Sequence, residues 1–84
     1  MYSGYDIFKL VDTHGLPLDI VNLMLREKGE SFNTPEFIIA ALKGRWTPKR
    51  IELTLIASAK PDTDIEALRK RIIETIENEQ QNHI

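Results

Sequence analysis

The sequence predicts an all-α fold, a compact bundle of four to five short helices. Three observations carry that expectation. Helix start and stop residues recur through the chain, apolar residues return at helical spacing between them, and no segment offers a partner for a lone strand. At 84 residues the chain is expected to form one helical domain, residues 1–84, built on one small core.

Ser3 followed by Asp6 fits a capping box, Ile7, Leu10 and Val11 repeat helically, and Gly15 and Pro17 supply a stop. The first helix is therefore expected over 4–14. Pro17 suits a first turn and Asp19 its positive end, while Ile20, Val21, Met24 and Leu25 form a stripe before Arg26, Lys28 and Gly29, giving a helix over 17–28. Thr34, Pro35 and Glu36 start a third helix over 35–43, with Phe37, Ile38, Ala41 and Leu42 on one side and Gly44 as terminator.

The stretch from Thr47 to Lys60 reads two ways. Ile51, Leu53, Leu55, Ala57 and Ala59 alternate as in a strand, yet Thr47-Pro48 repeats the start signal of the third helix and Ile51, Leu55 and Ala59 also share a helical face. Helix is the reading taken, with a strand at 48–60 as the alternative. Thr63 and Glu66 form a capping box for a last helix over 64–80, marked by Ile65, Leu68, Ile72, Ile73 and Ile76, and the tail from Gln80 to Ile84 is expected to fray. The expected core is drawn from Phe8, Leu10, Val11, Ile20, Leu23, Met24, Phe37, Ile38, Leu42, Ile51, Leu55, Leu68 and Ile72.

Composition excludes several classes of function. With no cysteine there is no disulfide framework, thiolate metal site or cysteine nucleophile. The longest apolar runs, such as Phe37 to Leu42, fall far short of the roughly 20 residues that span a bilayer, and the N-terminal stretch has no leader-like pattern, so a cytoplasmic address without membrane contact is expected. His14 and His83 are the only histidines, and no metal-ligand spacing, glycine-rich phosphate loop or nucleophile elbow occurs. No cofactor, metal or catalytic residue is expected. The net charge of −2 hides an uneven distribution, about −3 over 1–42, +4 over 43–71 and −3 over 72–84.

Two segments stand out for binding. Lys43-Gly44-Arg45-Trp46-Thr47-Pro48-Lys49-Arg50 carries four cations, no anion and the single tryptophan. Its cations could hold a nucleic-acid backbone while Trp46 stacks on a base; alternatively Lys43 and Arg45 complement a helix C-terminus, Lys49 and Arg50 are solvated, and Trp46 fills a gap between helices. Arg69-Lys70-Arg71 spread around their helix and read as a solvated face, with Glu66 and Glu74 placed for ion pairs to Lys70. The second segment is Ile7 to Pro17. Asp12 lies near the C-terminal end of its helix, where a carboxylate opposes the macrodipole, so something else should favour it. Either it meets the positive start of the next helix across the Gly15-Leu16-Pro17 corner, or it is held out as an acceptor for a base-edge amino group. His14 could bond a terminal carbonyl or touch a phosphate.

Phe8-Lys9-Leu10-Val11-Asp12-Thr13-His14-Gly15-Leu16-Pro17 resembles a stretch of the alanyl-tRNA synthetases, and its His-Gly-Leu-Pro form is most similar to the archaeal branch. The likeness continues more loosely through Leu18-Asp19-Ile20-Val21, Arg26-Glu27-Lys28-Gly29 and Thr34-Pro35-Glu36-Phe37, covering about residues 7–42. The resemblance implies a helical tRNA-recognition element in which Asp12 matches the aspartate associated with reading a G·U pair in the acceptor stem, with Lys9, Thr13 and His14 as its neighbours. Val11 replaces a common tyrosine of the family. The segment from Trp46 onward has no match, the family's assisting asparagine has no identified counterpart, and its ATP-binding, amino-acid-binding and editing motifs are absent. The expected function is thus a non-catalytic module contacting tRNA or another structured RNA through Asp12, Lys9, Thr13, His14, Lys43, Arg45, Trp46, Lys49 and Arg50. The alternative is a protein-interaction or scaffold module, homodimeric through the last helix, without RNA binding.

Overall fold

The computed structural model describes residues 1–81 and contains five helices: α1 (Gly4–Asp12), α2 (Leu18–Glu27), α3 (Thr34–Lys43), α4 (Pro48–Ala57) and α5 (Ile65–Gln81). The ambiguous segment is helical. Thr47 accepts a hydrogen bond from the Arg50 amide at 3.1 Å and Pro48 occupies the first turn, so the repeated Thr-Pro signal settles what alternation left open. Among the described residues the one β-like contact is an isolated parallel bridge between Tyr2 and Phe32. His83 and the end of the tail expected to fray lie outside the described residues, while Gln80 and Gln81 still belong to α5.

The observed caps shift two starts by one position. Asn33, rather than Thr34, caps α3 by accepting from the Glu36 amide at 3.0 Å. Asp64, rather than Thr63, caps α5 by accepting from the Ala67 amide at 3.2 Å. In both places two good capping residues are adjacent, and local sequence does not choose between them.

α1 and α3 form the centre. The Tyr2 amide donates to Ser31 O (2.8 Å) and the Asn33 amide to Tyr2 O (3.0 Å), which aligns the leads into both helices. Ser3 Oγ accepts from the Tyr5 and Asp6 amides, forming the Ser3 half of the expected capping box. The Gly4 amide donates instead to the Glu36 carboxylate on α3, at 3.0 Å. A Cβ at Gly4 would fall on the backbone of Asn33 and Phe37, so only glycine lets the helices come this close.

Phe8, Phe37, Ile38, Ile51 and Ile72 sit in the resulting core together with Ile7, Ala41, Leu55 and Ile76. Leu10, Val11, Leu42 and Leu68 are half-buried against it. α2 differs from expectation. Leu18, Val21 and Leu25 face inward, whereas Ile20, Leu23 and Met24 are 46%, 48% and 52% exposed. Six of the ten α2 residues are apolar, so periodicity defines no unique face, and the helix meets the core along a single line. The stripe of α5 is spent internally through Ile72 and Ile76, leaving Ile73 outward. The expected Lys70 pairs with Glu66 and Glu74 are not formed; Arg69 instead donates to Glu52 on α4 at 2.8 Å. Such exposed pairs stabilise little, and long side chains choose among several partners.

Gly4→Ala should cost about 1 to 3 kcal/mol or more, because backbone rather than a movable side chain opposes the added methyl. Urea unfolding measures it, and a loss below about 0.5 kcal/mol, the range of ordinary surface changes, would contradict the close α1–α3 approach.

Candidate nucleic-acid interface

The two segments singled out in the sequence meet in the structure. The Trp46 indole Nε1 donates to Asp12 Oδ1 at 3.2 Å, across 34 residues of chain. The favouring partner of Asp12 is therefore the indole, not the start of α2. Asp12 remains exposed, and no other partner for its carboxylate is found among the described residues, so Oδ2 is left as an acceptor directed by a fixed Oδ1.

Trp46 itself is 6% exposed. Phe8 meets it edge-on at 5.2 Å between ring centroids, Phe37 at 6.2 Å, and the Arg50 guanidinium lies 3.7 Å from the ring centroid. The indole fills the gap between α1, α3 and α4, and its ring is covered rather than open to a stacking base. Arg50 is exposed beyond the ring, so its N–H edges face solvent while its plane is held by the cation–π contact.

The turn that carries Trp46 inward has an unusual residue placement. The Trp46 amide donates to Ala41 O and the Arg45 amide to Leu42 O, closing α3 with Arg45 at φ 67°. That left-handed position normally takes glycine, yet the glycine is one residue earlier. Gly44 leaves room for Phe8, whose Cζ a Cβ there would approach to 2.9 Å. Arg45 therefore holds the left-handed position, at a strain of about 1 to 2 kcal/mol.

The other candidates lie around this centre. Arg45 and Lys49 flank Trp46 in the chain, are exposed, and make no ion pair among the described residues. Thr13 ends α1, its amide donating to Lys9 O at 2.9 Å. Lys9 and His14 border a groove between α1 and α2, beside Leu10, Leu16 and Met24. Lys43 lines a separate recess with Leu42 and with Glu79 and Gln80 of α5. The compact part of the set is therefore Asp12, Trp46 and Arg50, with Arg45 and Lys49 adjacent. No helix among the described residues is long and apolar enough to cross a membrane, and no group of three acidic, histidine or cysteine side chains there could hold a metal ion.

Known proteins bear on this geometry. Part of the chain is similar to alanine–tRNA ligase. A 35-residue stretch is 54% identical to the enzymes of Bacteroides fragilis and Bacteroides thetaiotaomicron and 49% identical to that of Parabacteroides distasonis. These relatives are bacterial, where the His14-Gly15-Leu16-Pro17 form pointed to the archaeal branch. The match covers 42% of this chain but 4% of each ligase. No family model and no solved structure matches the chain.

Reasoning from sequence missed the bond between Asp12 and Trp46, although each end carried a signal: a carboxylate opposing a helix dipole, and an indole N–H that needs a partner once buried. Asp12→Ala should cost about 1 to 2 kcal/mol by leaving the indole N–H unpaired, whereas Asp12→Asn, which still accepts through Oδ1, should stay within about 0.5 kcal/mol. Unfolding followed by the emission of the single tryptophan checks both, and equal losses would contradict the bond. Arg45→Gly should stabilise the fold by about 1 kcal/mol through relief of the left-handed strain, read as a raised urea midpoint.

Proposed function

We propose that the chain is a small non-catalytic helical module that binds the acceptor stem of a tRNA or a similar RNA helix. The observation that carries this reading is the Asp12–Trp46 hydrogen bond, which joins the stretch similar to alanine–tRNA ligase to the basic turn that follows it. Asp12 Oδ2 accepts from a guanine amino group in the shallow minor groove, and Arg45, Lys49 and Arg50 contact the flanking phosphates. Trp46 is a positioning residue here: it orients the carboxylate and carries Arg50. Lys9, Thr13, His14 and Lys43 form the outer margin. The absence of synthetase catalytic motifs from the sequence supports binding without aminoacylation.

Binding should be measured against an acceptor-stem hairpin over a range of salt concentrations. Arg45→Ala and Lys49→Ala should weaken binding to all sequences and each reduce the salt slope by about 1. Asp12→Asn turns an acceptor into a donor without disturbing Trp46, so it should abolish a preference for G·U over G·C while leaving stability unchanged. No detectable binding at low salt would refute the reading.

The exposed Ile20, Leu23 and Met24 favour a second reading, in which α2 rather than α5 joins two copies of this chain. That reading expects a mass that rises with concentration and falls back in Met24→Glu; a monomer at all concentrations excludes it.

A further inference from the structure

A second concentration of positive charge lies away from Trp46. Arg26 of α2, Lys60 after α4 and Arg71 of α5 converge on one pocket of about 420 Å³. Three separate elements supply these cations, and none of the three has an ion pair or hydrogen bond from its side chain among the described residues. Glu30 is the one carboxylate on the lining, and it lies 3.6 Å from the Met1 amino nitrogen. The pocket is therefore a cationic concavity on a protein whose formal net charge is −2. Low-dielectric walls around an excess of positive charge concentrate the field and draw in a counter-ion.

The walls are fixed by contacts within the fold. Asn22 Nδ2 donates to Ser58 O at 3.0 Å, tying α2 to the end of α4, and the buried Ser58 hydroxyl donates to Leu55 O at 3.1 Å. Thr34 and Thr63 also line the space, and their hydroxyls make no hydrogen bond among the described residues, so they remain available as donors. Phe32, Leu55 and Leu68 supply an apolar side of the same pocket.

We infer that this pocket binds a phosphorylated small molecule, its phosphate monoester between Arg26, Lys60 and Arg71 and its organic body against Phe32, Leu55 and Leu68. Two guanidiniums offer paired N–H donors that match phosphate oxygens, and Lys60 adds a movable charge. The volume is in the range of about 300 to 1,000 Å³ typical of small-molecule sites. The site is independent of the RNA reading. It adjoins the C-terminal end of α4, whereas Trp46 and Arg50 stand at the N-terminal end.

The test is a backbone-amide NMR titration of the full chain with adenosine 5′-monophosphate, inorganic phosphate, adenosine and an acceptor-stem RNA hairpin as separate probes. The monophosphate should shift the amides of Ser31, Thr63 and Lys60, inorganic phosphate should shift the same amides more weakly, and adenosine should shift them least. Arg26→Gln and Arg71→Gln replace exposed, unpaired side chains, so the fold is retained, and each should weaken monophosphate binding about tenfold, the loss of one charge-assisted contact. Adenosine binding as tightly as its monophosphate, unchanged binding by both variants, or shifts elsewhere in the chain would overturn the proposal. So would RNA that moves these amides when the monophosphate does not, since the phosphate bound would then be a diester of the nucleic-acid backbone.

Discussion

The structure depends on how closely α1 can lie against α3. Gly4 removes the side chain that would keep them apart, and the Glu36 carboxylate fills the hydrogen-bonding need of its amide from across the interface. One turn further on, Phe8 meets Phe37 edge-on at 5.5 Å, and the same Phe8 presses on Gly44. Each of these contacts needs the others. If α1 moved outward, Phe8 would leave Trp46 and Asp12 would leave the indole, so the helix-pair geometry and the candidate site stand or fall together.

Next to the contact of Phe8 with Gly44 the chain leaves α3 through a strained left-handed turn at Arg45. Glycine at 44 leaves room for the Phe8 ring, and the residue after it carries the left-handed turn that glycine would also suit. One residue type was wanted at two adjacent positions for two different reasons. A left-handed φ is tolerated by a long unbranched side chain at modest cost. Glycine at both positions would meet both needs, so the fold itself does not require arginine at the left-handed turn.

Local chemistry made most of the fold legible in the sequence. Ser3, Thr47 and the prolines after Thr34 and Thr47 mark helix starts by contacts that span only three residues, which is why α4 could be read as a helix against its alternating pattern. What local chemistry does not encode is direction. α2 carries apolar residues around much of its circumference, and only tertiary packing, against α4 above all, decides that Val21 turns inward while Met24 turns out. Asp12 was identifiable as misplaced from the helix dipole alone. Its partner lies 34 residues away, and nothing short of the tertiary fold names it.

The charge pattern is altered by folding in a way that bears on both binding readings. Along the chain the cations of residues 43–71 form one basic stretch. α4 divides it. Its ten residues set Lys49 and Ser58 roughly 13 Å apart along the helix axis, beyond the screening length of about 8 Å at physiological ionic strength. Arg50 lies over Trp46, with Arg45 and Lys49 close to it in the chain, while Lys60 and Arg71 join Arg26, a residue from the acidic half of the chain, around a separate concavity. Binding RNA as proposed needs an extended polyanion that meets the first group from outside, where Arg45 stands on the turn before α4 and Lys49 and Arg50 on its exposed first turn. Binding a phosphate monoester as proposed needs a compact anion that enters the concavity lined by the second group. Opposite requirements in ligand shape follow from one basic segment because a single helix separates its ends.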